Sequence, residues 1–443
     1  MKFALHWTPK VSAGLLLCVW VCVVASLLTG LVWLSMVAKV ALVLFLSLAL
    51  LRASHHIQIL FGVVCSVAAG LALWRGSPEG LLQGLSQVQI FGGFLPSVLL
   101  LRATAQSSPQ SETLHQRMTR LTPSQALHWT LMGSHGLSAV LNAGAMAVLA
   151  PVVTREATPA FRVQLALCAA RGVGASIMWS PLFVAMAFTS SLVPSAPLWQ
   201  LMLIGAGLGA LALAWAHAIF IPDLKWSDWP LSLRALGPLV VPMSVILGAV
   251  LLLTATGFSG LQAVTLALPA ICLPYLAWRG QAVARATLRA TWGHFSRLSD
   301  ELLIVVGAQV MGVSLATLPE VQHFAQTLLP SLVSGGMLLT LLVTVLVLLG
   351  QVGLHPMIGI SLLVPLVASG PFGIAGVILV NAGVLAWGLS AALAIWTLPV
   401  AVAATTFEVP VSQLLTRRSA VWGVLVCLSG CCYLVALNAW LMP

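Results

Sequence analysis

The chain has 443 residues, of which 60% are apolar and 6% charged, and its mean hydropathy is +1.07. A soluble domain surface carries about a quarter or more of its residues as charges, so two or three water-soluble domains are excluded. The net charge of +10 is what Lys and Arg concentrated in cytoplasmic loops produce, and gives no reason to expect nucleic acid as a partner.

The apolar runs are about 20 residues long, the length of a spanning helix rather than of a barrel strand. The expected class is therefore an all-α polytopic membrane protein. From the N-terminus, Lys2 and Lys10 precede an apolar run without an AxA-like cleavage site, read as a retained first span over 12–30. Further spans are expected at 31–51, 57–74 and 85–103, then a polar stretch over 104–127. Next come 124–152, 160–192, 198–221, 236–256 and 260–278, and a basic stretch at 279–299. The remaining runs are 301–317, 327–350, 354–370, 373–407 and 420–441. Residues 280–298 place Leu288, Trp292 and Phe295 at helical spacing with Arg285, Arg289 and Arg297 elsewhere on the wheel, the pattern of an interfacial helix on anionic lipid. The eight cysteines lie almost entirely inside apolar runs without paired CxxC motifs, and are read as small hydrophobes.

The positive-inside rule sorts these runs. With Lys2 and Lys10 cytoplasmic, two crossings return the chain inside at Arg52, and two more at Arg102, Arg117 and Arg120. Arg155 and Arg162 stay inside only if 124–152 is a re-entrant hairpin. Lys225 and Arg234, then Arg279, Arg285, Arg289 and Arg297, follow on the same side. A second hairpin over 327–370, entered from outside, brings Arg417 and Arg418 inside. Arg75, beside Glu79, and Lys39 do not fit this count.

The two halves match in the same order at a near-constant offset, 217 residues for the first match. Gly133-Ser134-His135-Gly136-Leu137 corresponds to Gly350-Gln351-Val352-Gly353-Leu354, and Ala150-Pro151 to Val364-Pro365. Ala170-Arg171-Gly172 corresponds to Ala386-Trp387-Gly388, and Trp179-Ser180-Pro181 to Trp396-Thr397 with Pro399 nearby. The charge count gives the copies opposite orientations, the inverted-repeat architecture of secondary transporters. On this reading 1–30 is an extra span and 31–221 the first repeat, with hairpin 124–152 and broken helix 160–192. Residues 222–299 hold a connector, two second-repeat spans and the interfacial helix 280–298. Residues 300–443 complete the second repeat, with hairpin 327–370 and broken helix 373–407. The 35 residues of 373–407 would be roughly 50 Å long as one helix, against a hydrocarbon core of roughly 30 Å. A break near Gly172, Gly174 and Pro181, or near Gly388, Ser390 and Pro399, frees backbone groups that must face protein or a wet cavity.

This pattern resembles the ion transporter superfamily of citrate, dicarboxylate and arsenite permeases. The resemblance covers nearly the whole chain except the first span. It implies two inverted repeats, each with a re-entrant hairpin and a broken helix, an elevator-like motion, and function as a dimer or monomer. The Ser-Asn-Thr signature of the dicarboxylate/sodium branch is absent; the expected tips here read Gly-Ser-His-Gly and Gly-Gln-Val-Gly-Leu-His-Pro.

Candidate substrate-binding residues are those beside the expected tips and breaks. Arg171 is a charge inside a span, where insertion costs about 2.5–3.5 kcal/mol. It would hold an anionic group, pair with carbonyls at the break, or snorkel to the interface. His135 and His355 are expected at the tips, as carriers of a proton or a substrate oxygen, or as donors that shape the turns. Asn142 and Gln351 offer amides, and Ser134, Ser138, Ser176, Ser180, Ser361, Ser390 and Thr397 offer hydroxyls, although such groups commonly bond back to their own helix. Trp179 and Trp396 match across the halves as cavity walls. No resident cofactor or metal is expected; Na+ or H+ would be the coupling ion. The functional expectation is a multi-pass inner-membrane secondary transporter, N-terminus cytoplasmic, for a small anion such as an organic carboxylate, a sulfonate or an inorganic oxyanion. The competing class is an intramembrane enzyme or a translocase of lipid-linked substrates. Such an enzyme needs acidic clusters, HExxH or GxSG motifs, and nine acidic residues in all offer none.

Overall fold

The computed structural model describes residues 4–75, 78–107, 122–152, 157–221, 230 and 237–442. The basic positions Lys2, Arg117, Arg120, Arg155, Lys225 and Arg234 lie outside the described residues. In chain order the helices of eight or more residues are α1 (Ala4–Thr29), α2 (Val32–Leu50), α3 (His55–Arg75), α4 (Glu79–Val88), α5 (Phe91–Gln106), α6 (Pro123–Leu141), α7 (Pro159–Ile177), α8 (Val184–Ser191) and α9 (Leu198–Phe220). They continue with α10 (Gly237–Ala255), α11 (Gly260–Arg279), α12 (Gln281–His294), α13 (Ser299–Ala316), α14 (Gly335–Gln351), α15 (Pro356–Ala368), α16 (Gly376–Leu393), α17 (Leu398–Thr406) and α18 (Arg417–Leu441). Among the described residues nine helical stretches are long and apolar enough to cross a membrane, or ten if 319–332 and 335–351, bent by 111°, are taken as one span.

Two compact units divide the chain. The first comprises 1–107, 249–328 and 361–370; the second comprises 108–248, 329–360 and 371–443. In the first unit α3 and α4 pack on α13, while α11 and α12 pack on α5. The run α3–α4–α5 and the run α11–α12–α13 thus each lay their first two helices on the other's third. Gly84 allows the α4–α13 approach: a methyl group there would come within 2.8 Å of the Val310 Cα. Lys39 sits inside α2, half-buried. In α12, Thr287 and Thr291 turn inward and Leu288 and Trp292 stay exposed. Phe295 is buried edge-on to Trp20, ring centroids 6.1 Å apart. The apolar stripe expected on this helix is therefore split between outside and core.

The second unit repeats the device. α6 packs on α7 and α14 on α16; α9 lies on α7 and α18 on α16; α8 packs on α16 and α17 on α7. Local sequence starts these helices. Thr122 and Gln125 form a capping box with Pro123 in the first turn of α6, Thr158 caps α7, Ser334 caps α14 and Thr416 caps α18.

Directions follow from which residues meet. Leu131 and Ser134 lie against Gly172, Ser138 against Ser176 and Ala139 against Ser180, so α6 and α7 run parallel. Two consecutive parallel helices require the chain to come back between the end of the first and the start of the second. Likewise Gly335 meets Phe372 and Gly350 meets Ser390, so α14 and α16 run parallel and α15 belongs to the return. Between α7 and α16 the order is reversed: Arg171 meets Ala392, whereas Met178 meets Gly388, so these two helices are antiparallel. Their crossing is made by glycines: a methyl on Gly174 would come within 2.8 Å of the Gly388 carbonyl oxygen, and one on Gly388 within 2.8 Å of the Gly174 carbonyl oxygen.

Several boundaries differ from the sequence reading. The expected first tip at 133–136 is interior to α6, and the chain turns instead at Asn142, whose φ is 57°. Gly133 is used for packing: a methyl there would come within 3.1 Å of the Trp129 ring and 3.2 Å of Leu149. In the second half the chain turns over 352–355, inside the stretch 350–356 read as the second tip, with Gly353 at φ 96° and Gly350 and Gln351 still in α14. The second hairpin begins at Gly335 rather than 327, because the sharp bend at 332–335 separates the preceding short helices. The breaks lie at 178–183 and 394–397, beside Pro181 and Pro399 rather than at the Gly172/Gly174 and Gly388 positions. Proline cannot donate into a continuing helix, whereas those glycines serve the close crossing.

Candidate functional site

The first break is stitched to the helix that precedes it. Beyond Ile177 the Ser180 N–H still bonds the Ser176 carbonyl at 3.0 Å, and regular helix resumes only at Val184. The Ser180 hydroxyl donates to the Ala139 carbonyl of α6 at 2.8 Å and accepts the Leu182 N–H at 3.3 Å. The hydroxyls of Ser138 and Ser176 are 2.5 Å apart. The Trp179 indole N–H donates to His135 Nε2 at 3.3 Å, so a neutral imidazole there carries its proton on Nδ1, which is buried without a hydrogen-bond partner. Ser134, fully buried, donates back to the Leu131 carbonyl of its own helix at 3.0 Å. Ser134, His135, Ser138, Ser176, Trp179 and Ser180 therefore form one seam between α6 and α7. The first three are in mid-helix rather than at a tip, and Asn142 occupies the turn that follows.

The second break has the same construction. Ala394 is extended, and α17 restarts with Pro399 in its first turn. The Trp396 indole N–H donates to the Gly350 carbonyl at 3.1 Å, and the Thr397 hydroxyl bonds the carbonyls of Ala394 at 2.7 Å and Ala391 at 2.9 Å. Trp179 and Trp396, 217 positions apart, thus each tie a break to the helix leading into its own hairpin. Trp396 is 59% exposed, so it covers the tip rather than lining an enclosed cavity. Ser390 abuts Gly350; its hydroxyl and the Gln351 side-chain nitrogen are buried without hydrogen-bond partners. His355 accepts the Met357 N–H at Nδ1, 3.3 Å away, and so begins α15. Its ring meets Trp387 edge-on at 5.8 Å, and Trp387 meets Phe188 of α8 at 6.4 Å. Ser361 belongs to neither group. It is buried in the first unit, beneath Gly312 of α13.

Arg171 is 2% exposed, so it does not snorkel. Its Nη1 donates to the Ala392 carbonyl, one of the last carbonyls before the α16 break. The guanidinium carbon is 5.6 Å from the Phe220 ring centroid and 5.1 Å from that of Trp422. Nε and Nη2, which together form the side-on edge that grips a carboxylate in a bidentate pair, have no hydrogen-bond partner. A cation at a helix C-terminus is favoured by the dipole, and here the first half of the chain supplies that cation to the second. Sequence reading missed Phe220, Trp422 and the Ala392 carbonyl. Their only signal was an aromatic near a helix end, which interfacial packing explains equally well.

No family model matches the sequence, and no curated protein matches it. Among solved structures the chain is similar to the crystal structure of the Alcanivorax borkumensis YdaH transporter, reported to have an unusual topology. The identity is 13%, over 88% of this chain and 89% of that one, with a TM-score of 0.42. The chain is an all-α polytopic membrane protein. At this level of likeness no residue of one chain is matched to a residue of the other, and the functional reading rests on the geometry above.

Proposed function

We propose that the chain is a secondary active transporter that moves a small anion across the inner membrane by alternating access, built from two repeats of opposite orientation, with Na+ or H+ as the coupling ion. The observation that carries this reading is the level of each turn. Residue pairs between α6 and α7 differ by about 40 positions, as do those between α14 and α16. Asn142 therefore stands level with the 178–183 break, and 352–355 with the 394–397 break. A turn and a helix break at one depth concentrate free backbone carbonyls and N–H groups within the bilayer, a feature suited to binding and releasing a solute and of no use to a passive span. The antiparallel crossing of α7 and α16 supports the opposite orientation of the copies.

The anionic class rests on Arg171, a buried guanidinium with a free two-nitrogen edge and the Phe220 and Trp422 rings 5.6 and 5.1 Å from its carbon. Organic carboxylates, sulfonates and inorganic oxyanions present oxygens that suit that edge. The hydroxyls of Ser138, Ser176 and Ser180, with the carbonyls of the first break, offer neutral oxygens for a coupling cation. The chain carries out no covalent chemistry on this reading, and its N-terminus is cytoplasmic. The test is counterflow in proteoliposomes of the purified protein. Vesicles preloaded with a carboxylate, a sulfonate or an oxyanion are expected to accumulate the labelled anion for at least one class. No exchange with any class, under either a Na+ or a pH gradient, overturns the reading.

A further inference from the structure

Away from the breaks, the first unit contains a cavity of about 230 Å3 between the end of α3, the start of α4 and the end of α13. Its wall carries one charge of each sign, Arg75 and Glu79, together with Ser314 and Thr317. Ser314 is 5% exposed and its hydroxyl has no hydrogen-bond partner. The Thr317 hydroxyl donates to the Ser314 carbonyl at 3.0 Å, which leaves its oxygen able to accept. Gly80 presses against the Ser314 Cα so closely that a methyl group would come within 3.0 Å, and this brings the start of α4 onto the serine.

The surroundings place this cavity where a span meets the headgroup layer. Arg75 is the last residue of the span His55–Arg75 and Glu79 the first of the span Glu79–Gln106. Leu73 is 83% exposed and Trp74 69%, an aliphatic and an aromatic side chain turned outward at a span end, as in the interfacial belt of membrane proteins. The Arg75 guanidinium lies 5.1 Å from the Trp74 ring centroid and is paired with Glu320. That pair fixes the cation at the mouth of the cavity while leaving its remaining N–H groups available. A ligand that satisfies this wall carries an anionic oxygen for Arg75 and the Ser314 hydroxyl, and, a few atoms away, a cationic N–H donor for Glu79 and the Thr317 oxygen. Neither a simple anion nor a simple cation meets both requirements.

We propose that this cavity binds the phosphoethanolamine headgroup of a membrane phospholipid, with the phosphate on Arg75 and Ser314, the primary ammonium on Glu79, and the acyl chains running along the exposed face of α3. The site does not depend on the transport reading, because it lies wholly in the first unit and requires only that the chain span a bilayer.

The test is thermal unfolding of the delipidated full chain in detergent, with added phosphatidylethanolamine, phosphatidylcholine, phosphatidylglycerol or free phosphoethanolamine. Phosphatidylethanolamine is expected to raise the midpoint by several degrees. Phosphatidylcholine, whose quaternary ammonium has no N–H, and phosphatidylglycerol, which has no cation, are expected to raise it much less. Glu79→Gln is expected to abolish the difference between phosphatidylethanolamine and phosphatidylcholine, and Ser314→Ala to weaken the phosphatidylethanolamine response several-fold while leaving the lipid-free midpoint unchanged. Equal responses to the three lipids, or an undiminished preference in both variants, overturn the proposal. A full response to free phosphoethanolamine overturns the lipid assignment in favour of a soluble zwitterion. If Glu79→Gln does not fold, the Ser314→Ala response and the three-lipid comparison on the unaltered chain still decide the matter.

Discussion

The Arg171 guanidinium donates to the carbonyl of Ala392, 221 residues away. A side chain from the first broken helix thereby meets the end of the second, and the residue that corresponds to Arg171 in the second half is Trp387, which carries no charge. The two breaks have similar hydrogen-bond stitching and different charge. Arg171→Lys keeps the charge and loses the planar fork. On the transport reading it lowers anion exchange at least tenfold, while Arg171→Ala abolishes exchange and still yields inserted protein. Initial counterflow rates, normalised to protein that elutes as a single species from a sizing column, measure this. Normal exchange by either variant removes Arg171 from the site.

The glycine crossing of α7 and α16 makes a stability prediction independent of any substrate. A methyl on Gly174 would come within 2.6 Å of the Ala392 Cβ and 2.8 Å of the Gly388 carbonyl oxygen, and one on Gly388 within 2.8 Å of both the Gly174 carbonyl oxygen and the Met178 side chain, so at each position a backbone oxygen stands in the way. Gly174→Ala and Gly388→Ala are each expected to destabilise by about 1–3 kcal/mol, the usual range for overpacking. Gly14→Ala, with nothing within 4 Å of the added methyl, serves as the neutral control. Unfolding midpoints in detergent compare the three, and equal midpoints would show that the two helices do not touch as described.

The hairpins predict sidedness. Parallel α6 and α7 must begin on one face of the membrane, and parallel α14 and α16 on one face too. Because α7 and α16 are antiparallel, the two faces are opposite. Thr122→Cys and Thr158→Cys are therefore expected to react with an impermeant maleimide from one side, and Ser334→Cys and Ala375→Cys from the other. Labelling of Thr122→Cys and Thr158→Cys from opposite sides would make 122–158 an ordinary crossing and remove the first hairpin.

How much of this was legible in the sequence follows from what each residue type encodes. Hydropathy fixed nearly every span, because the bilayer imposes length and polarity on any helix that crosses it. The charge count asks for a hairpin at 124–152, and the parallel course of α6 and α7 is compatible with one. The first tip was misplaced because glycine has two uses. At Gly353 it adopts a positive φ and turns the chain, whereas at Gly133 it makes room for Trp129 and Leu149, and sequence alone does not distinguish these. The turn fell instead to Asn142, a residue that tolerates the left-handed half of the map. Ser361 matched its neighbours in composition yet folds into the other unit, since α15 passes from one unit to the other part-way along its length. The Phe220 and Trp422 faces around Arg171 come from helices 49 and 251 residues downstream, a separation no local pattern encodes.

Glu408 gives the last prediction. It has φ 55° just beyond α17, a conformation costly to most L-residues and free to glycine. Its carboxylate pairs with Arg162 of α7 at 2.6 Å, but its side chain is 75% exposed, and exposed ion pairs contribute about 0–1 kcal/mol. The backbone strain, of order 1 kcal/mol, is comparable to or larger than the pair. Glu408→Gly is therefore expected to leave the unfolding midpoint unchanged or raised, and Glu408→Gln to lower it by no more than the value of the pair. The difference between the two variants should persist in high salt, which screens the ion pair and leaves the backbone preference untouched. A Glu408→Gly variant clearly less stable than Glu408→Gln would show that the Arg162 contact, rather than the turn, holds the end of α17 in place.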